Sequence, residues 1–190
     1  GNAGSGKTVL SLQSLAYAAR HCDEPGIFVA FEEGEHQILA NAESFGWNLP
    51  ELLPDKLCFL DARIVFDVVN SGDFDLGGLL GILTAKVRSM GARRIVFDAL
   101  DVALDLFDEP RAMRREVYRL HAWLLQEKLT ALITHKSRGH GDTPEAGPLD
   151  FLHFMADCVV SLDRSLDTGV SQRSLRVVKF RGSAFDENAT

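Results

Sequence analysis

The chain opens on Gly1-Asn2-Ala3-Gly4-Ser5-Gly6-Lys7-Thr8, which fits the G-x-x-x-x-G-K-[ST] pattern of a phosphate-binding loop. No other feature restricts the fold as strongly. Gly1, Gly4 and Gly6 let the backbone wrap tightly enough for its N–H groups to face phosphate oxygens. The apolar spacing from Val9 to Ala18 predicts a helix that starts at this loop, and its N-terminal partial charge adds to the anion site. Lys7 then reaches the β- and γ-phosphates, and the Thr8 hydroxyl ligates Mg2+. All eight residues, Asn2, Ala3 and Ser5 included, form the expected ATP cradle. Such a loop normally follows a strand. None precedes Gly1, so the leading strand is expected in a longer parent chain, of which residues 1–190 are an N-terminally truncated domain.

Beyond the loop, helical and short apolar strand patterns alternate, which predicts an α/β fold with a mainly parallel sheet flanked by helices. Strands are expected at 27–31, 57–60, 94–97 and 129–134. Helices are expected at 36–45, 76–90 and 111–128, the last with Met113, Val117, Leu120 and Leu124 on one face. Segments 158–162 and 175–180 read as a terminal antiparallel pair, with a turn near Asp167-Thr168-Gly169. The stretch 137–150 is rich in Gly and Pro and is expected to be a mobile loop.

Composition narrows the function. With 20 Lys+Arg against 27 Asp+Glu the formal charge is −7, which argues against a nucleic-acid coat or an anionic-membrane binder. At 46 % hydrophobic residues the chain can bury the core of one domain. No apolar run approaches the roughly 18 residues of a membrane span. Cys22, Cys58 and Cys158 form no CxxC motif, so a reducing, cytoplasmic setting is the simplest expectation.

Three further segments point to phosphate chemistry. Ile95-Val96-Phe97-Asp98 is an apolar strand ending in a carboxylate, the Walker B pattern that puts Asp98 beside Mg2+. Phe28-Val29-Ala30-Phe31-Glu32-Glu33 places two carboxylates at the end of a buried strand, where ligands bind in open parallel sheets. Glu32 or Glu33 there can orient a water for attack on the γ-phosphate. In Lys179-Phe180-Arg181-Gly182, alternation puts Lys179 and Arg181 on one face. That cationic tip suits either a trans-acting arginine finger or a solvated edge strand. Other residues read as ordinary. His135, His140 and His153 lack ligand spacing, Trp47 and Trp123 suit packing, and Arg111, Arg114 and Arg115 suit solvated pairs with Asp108 and Glu109.

Together these segments resemble the KaiC domain family, the RecA-like ATPase module of circadian-clock type. The likeness runs along nearly the whole chain. It includes Asp23-Glu24-Pro25-Gly26, the Glu32-Glu33 pair, Asn41-Ala42-Glu43-Ser44-Phe45-Gly46-Trp47, Phe74-Asp75-Leu76, Arg114-Arg115-Glu116 and Lys179-Phe180-Arg181-Gly182. It is nearer to the hydrolytic N-terminal half of KaiC than to the autokinase half. The resemblance implies a RecA-like core and a homo-oligomeric, commonly hexameric, ring with ATP at subunit interfaces. It aligns Glu32 and Glu33 with paired catalytic glutamates, and Lys179 and Arg181 with residues touching a neighbour's ATP. It also implies signalling-protein partners. Ala99 stands where the family often has Ser, Ala184-Phe185-Asp186 stands where a histidine follows the basic tip, and there is no adjacent Ser-Thr pair to accept phosphate.

Three functions compete at this point. The first is Mg2+-dependent ATP hydrolysis by a signalling ring. The second is a serine/threonine autokinase using the same site. The third is a DNA-dependent motor of the same fold, disfavoured by the −7 charge and by Asp142, Glu145 and Asp150 in the loop such a motor would use.

Overall fold

Four apolar strands, β1 (Gly26–Ala30), β2 (Leu57–Asp61), β3 (Arg94–Asp98) and β4 (Thr130–Ile133), pair in the order β2-β1-β3-β4. All three pairings are parallel. This is a computed structural model, and it describes residues 1, 3–63, 76–107, 109–136, 151–167, 170–182 and 184–185. The chain divides into two compact units, residues 8–134 and residues 1–7 with 135–190.

The parallel sheet belongs to the first unit. β1 is buried at every residue, and Ile95, Val96 and Phe97 of β3 are buried too. Continuous apolar runs of this kind fit central strands covered on both faces. Helix α1 (Lys7–Tyr17) supplies part of the cover. Its Leu12, Leu15 and Ala16 share one buried cluster with Phe28, Ala30 and Val96. A Cβ at Gly26 would come within 2.7 Å of Leu15 Cδ2, so a larger residue here would have to displace the tip of the Leu15 side chain. Full burial of a side chain such as Phe28 stabilises by about 1.5–3 kcal/mol.

Helix α2 (Glu35–Glu43) follows β1 and buries Ile38 and Ala42. α3 (Gly77–Met90) ends at Gly91, whose N–H bonds the Val87 carbonyl and whose φ of 64° turns the Ala92 N–H to the same carbonyl at 3.0 Å. α4 (Leu100–Leu104) is a short helix directly after β3. α5 (Pro110–Gln126) buries Met113, Val117, Leu120, Trp123 and Leu124 along one face. Trp123 Nε1 donates to Thr84 Oγ1 at 2.8 Å, which ties α5 to α3.

The second unit holds α6 (Phe151–Met155) and the antiparallel pair β5 (Cys158–Asp167) and β6 (Val170–Phe180). The ladder runs from Cys158 opposite Phe180 to Asp167 opposite Val170, with an irregularity between Val159 and Val160. The architecture is the expected α/β class: a parallel sheet with helices, and a separate antiparallel pair. Among the described residues, no helix is long and apolar enough to cross a membrane.

Several elements differ from the sequence expectation. The first helix continues into a π-helical turn, Ala18–Cys22. α4 and α6 have five residues each, too few for a periodic pattern to show. β5 and β6 each run five residues beyond their expected segments. Charged residues such as Asp163, Arg164 and Arg173 interrupt the apolar pattern there, yet backbone pairing continues through them. The expected mobile loop 137–150 lies outside the described residues, as does the tip at Thr168 and Gly169.

Candidate nucleotide site

Parallel register brings three strand ends to one edge of the sheet. Ala30 pairs with Asp98, and Phe97 with Ile133. The chain therefore leaves the sheet at Glu32-Glu33, at Asp98 and at Thr134 side by side. Backbone bonds seal this edge. Phe31 N–H donates to the Asp98 carbonyl at 3.3 Å, Thr134 N–H to Phe97 at 3.0 Å, and Leu100 N–H to Thr134 at 3.1 Å. In open parallel sheets this C-terminal edge is where ligands bind.

Thr8, at the start of α1, meets Asp98 here. Its Oγ1 donates to Asp98 Oδ2 at 2.9 Å. The loop and the strand that sequence reading assigned to the metal thus converge on one hydroxyl–carboxylate pair. Mg2+ prefers hard oxygen ligands and takes one or two from protein, with phosphate and water completing its shell. The pair fits that donor set. The other Asp98 oxygen, Oδ1, accepts from Thr134 Oγ1 at 2.7 Å, and Thr134 Oγ1 itself accepts from Ala99 N–H at 2.8 Å. Sequence reading gave Thr134 no role. The available signal was a hydroxyl residue closing the strand beside Walker B.

Glu32 and Glu33 are both exposed, directly after the buried Phe31. Glu33 Oε2 accepts from Asn41 Nδ2 at 3.4 Å, and Asn41 Oδ1 accepts from Gln37 Nε2 at 3.0 Å. α2 thereby steadies the second glutamate. A shallow groove lined by Thr8, Glu33, Asn41, Phe45 and Trp47 runs past it. Phe45 and Trp47 stack within this groove, with ring centroids 4.8 Å apart. Trp47 also packs against the buried cluster.

The phosphate-binding loop lies in the second unit, up to Lys7. Gly4 and Gly6 take φ values of 72° and 101°, backbone that favours glycine and suits a tightly wrapped loop. Ser5 is buried, and its Oγ has no hydrogen-bond partner among the described residues. A polar atom so placed fits a loop built around a polar ligand. Lys7 Nζ donates to the Gly1 carbonyl at 2.9 Å, folding the lysine back over its own loop. Ala3 is exposed, and Asn2 lies outside the described residues. The Arg164 guanidinium stands beside the loop: a Cβ at Gly4 would meet its Nη1 at 3.3 Å. Sequence pattern offered no sign of this, because only the fold brings β5 to the loop.

Lys179 and Arg181 do share one side, as alternation predicted. Both address the end of α6. Lys179 Nζ donates to the carbonyls of His153 at 2.7 Å, Phe154 at 3.3 Å and Ala156 at 2.8 Å. Arg181 Nη2 donates to the Phe154 carbonyl at 2.6 Å, and Nη1 pairs with Asp157 at 3.3 Å. Helix C-termini leave carbonyls unsatisfied, and cations suit them.

Arg115 approaches Glu116 at 3.9 Å, a buried carboxylate that also holds Arg119 at 3.0 Å, while its expected partner Asp108 lies outside the described residues. The rings of His135 and His153 lie 5.7 Å apart, and His140 is outside the described residues.

A phosphate-binding loop, a parallel sheet and a Walker B carboxylate hydrogen-bonded to the loop's threonine define a P-loop ATPase with a RecA-like core. Comparison with known proteins narrows this class. A family profile described as "ATPase: KaiC" matches residues 1–190, and the chain belongs to that KaiC family. It is 34 % identical over 190 residues to the circadian clock protein KaiC2 of Synechocystis sp., covering 99 % of this chain and 33 % of that protein. It is 37 % identical to the circadian clock oscillator protein KaiC of Prochlorococcus marinus, covering 96 % of this chain and 36 % of that protein. The KaiC of Parasynechococcus marenigrum is 38 % identical with the same coverage. The chain thus spans about a third of the length of these relatives.

Proposed function

We propose that this chain is the ATP-binding and hydrolysing domain of a Mg2+-dependent, ring-forming ATPase of the clock type. The observation that carries the reading is the Thr8–Asp98 hydrogen bond of 2.9 Å at the C-terminal edge of the sheet. When bound, Mg2+ neutralises charge on the β- and γ-phosphate oxygens. The chain's own groups do the rest. Backbone N–H groups of the loop and Lys7 bind and orient the phosphates. Glu32 or Glu33 polarises the attacking water. Catalysis of this kind is positional and electrostatic.

The family resemblance supports ATP at interfaces of a homo-oligomeric, hexameric ring, with Lys179 and Arg181 reaching a neighbour's nucleotide. Their grip on the end of α6 is then a state they leave on assembly. The names of the relatives support clock-type signalling partners. The net charge of −7 remains an argument against a nucleic-acid partner.

Phosphate release, measured alongside light-scattering mass with and without Mg2+-ATP, tests the reading. Release of phosphate with ATP-dependent hexamer formation supports it. Binding of ATP without release, with label transferred from γ-labelled ATP to protein, replaces hydrolysis by autokinase chemistry. No nucleotide binding in Mg2+ overturns the reading.

A further inference from the structure

Thr134 directly follows β4 and is buried, with 6 % of its surface exposed. A threonine hydroxyl offers one proton and two lone pairs. Here the proton goes to Asp98 Oδ1 at 2.7 Å, and a lone pair accepts Ala99 N–H at 2.8 Å. The backbone of Thr134 is fixed too, by its N–H to the Phe97 carbonyl at 3.0 Å and its carbonyl to Leu100 N–H at 3.1 Å. The hydroxyl therefore has little freedom to move.

Its two partners are the parts of the Walker B end with freedom to lose. Ala99 holds φ at 63°, the left-handed region that a residue with a Cβ adopts only when its surroundings enforce it. Thr134 Oγ1 binds the N–H of that residue. Asp98 has a carboxylate whose terminal torsion is broad and nearly two-fold. Once Oδ1 is engaged by Thr134, the carboxylate plane is set, and Oδ2 is the oxygen presented to Thr8 Oγ1 at 2.9 Å. A chain of hydrogen bonds thus runs from the end of β4 through Asp98 to the first turn of α1.

We propose that Thr134 is a positioning residue for the metal end of the nucleotide site. It holds Asp98 in the one orientation in which Oδ2 and the Thr8 hydroxyl face Mg2+-nucleotide as a preformed pair. The inference rests on the Mg2+-ATP reading above. The Thr134 hydroxyl gives its proton to Asp98 and accepts from Ala99, so its effect is confined to the metal-dependent part of binding.

The test is a titration of the full chain with a fluorescent ATP analogue, in saturating Mg2+ and in EDTA, for wild type, T134V and T134S. T134V keeps the shape and removes the hydroxyl; T134S keeps the hydroxyl. Loss of a hydrogen bond to a charged group predicts about a tenfold weaker affinity for T134V in Mg2+. In EDTA the same variant should match wild type, and T134S should recover most of the Mg2+-dependent affinity. Should T134V fail to fold, as judged by its melting curve, T134A takes its place. Equal weakening in Mg2+ and EDTA, an unchanged Mg2+ response, or failure of T134S to rescue overturns the inference while leaving the proposed function standing. A wild-type chain that binds the analogue equally with and without Mg2+ overturns the proposed function, and this inference with it.

Discussion

Thr8 Oγ1 and Asp98 Oδ2 lie 2.9 Å apart, although 90 residues separate them in sequence. The contact joins the start of α1 to the end of β3 and makes one site of two motifs. In the proposed site both side chains face one Mg2+, so their removal should not add up, as expected for groups acting as a unit. Thr8→Val and Asp98→Asn should each weaken Mg2+-ATP binding by about tenfold or more. The double variant should be little worse than the stronger single one. Isothermal titration in Mg2+ measures this. Fully additive losses would show that the two residues act separately.

Glu32 and Glu33 stand exposed at the end of β1, beside an edge closed by the Phe31–Asp98 backbone bond of 3.3 Å. Replacing both carboxylates with amides preserves size and removes the proposed water-orienting group. The E32Q/E33Q double variant should bind ATP within about threefold of wild type and lose about 100-fold or more in turnover. The single variants, assayed the same way, assign the water-orienting role to one position. Undiminished phosphate release from the double variant rules both out.

Lys179 and Arg181 have a visible role within their own chain and a proposed one across the ring, and stability and rate separate the two. Lys179 donates to the carbonyls of His153, Phe154 and Ala156. Lys179→Met takes this cation from the His153 and Ala156 carbonyls, while Phe154 keeps Arg181. Thermal melting should fall by an amount equal to about 1–2 kcal/mol. Arg181 is more exposed and more easily released, with its side chain 54 % accessible in its Asp157 pair. Arg181→Ala should lower melting only slightly, because its Asp157 pair and its Phe154 bond are both exposed and Lys179 still donates to Phe154, yet lower hydrolysis in the assembled protein by about 10³-fold. A large drop in melting temperature with intact hydrolysis would make Arg181 a purely local cap.

How far the sequence revealed the site depended on how far each group's chemistry is written in adjacent residues. The loop at residues 1–8 was legible because glycine positions, lysine and threonine are all local, and Gly4 and Gly6 do take left-handed backbone. Asp98 was legible because an apolar strand ending in a carboxylate is a local pattern. Thr134 and Arg164 were not. Nothing beside Thr134 marks it until parallel register places Ile133 opposite Phe97. Arg164 reaches Gly4 only through the path of β5. The buried strands were legible for a similar reason: β1 and β3 are short, continuous and apolar. The outer halves of β5 and β6 carry no such signal, because a strand pair held by its own backbone ladder needs no apolar alternation along its length.

Glu116 offers a stability test independent of nucleotide. It lies within α5 with its side chain 3 % exposed. Its Oε2 accepts the Leu76 N–H at 3.1 Å, just ahead of α3, and Arg119 Nη1 at 3.0 Å. The carboxylate thus ties the start of one helix to the middle of another and satisfies an N–H that helix geometry leaves unpaired. Removing one partner of a buried pair commonly costs 3–5 kcal/mol. Arg119 keeps 44 % of its side chain in solvent and can turn to water, so Glu116→Ala should cost less, about 2–3 kcal/mol. Glu116→Gln keeps an acceptor for Leu76 and gives up only the charge, so it should cost about half as much. In a chain of this size each kcal/mol moves the melting temperature by about 2–4 °C. Calorimetric melts of the two variants should therefore fall in the order Gln above Ala, both below wild type. Equal melting of the alanine variant and wild type would show that Glu116 does not hold α3 to α5.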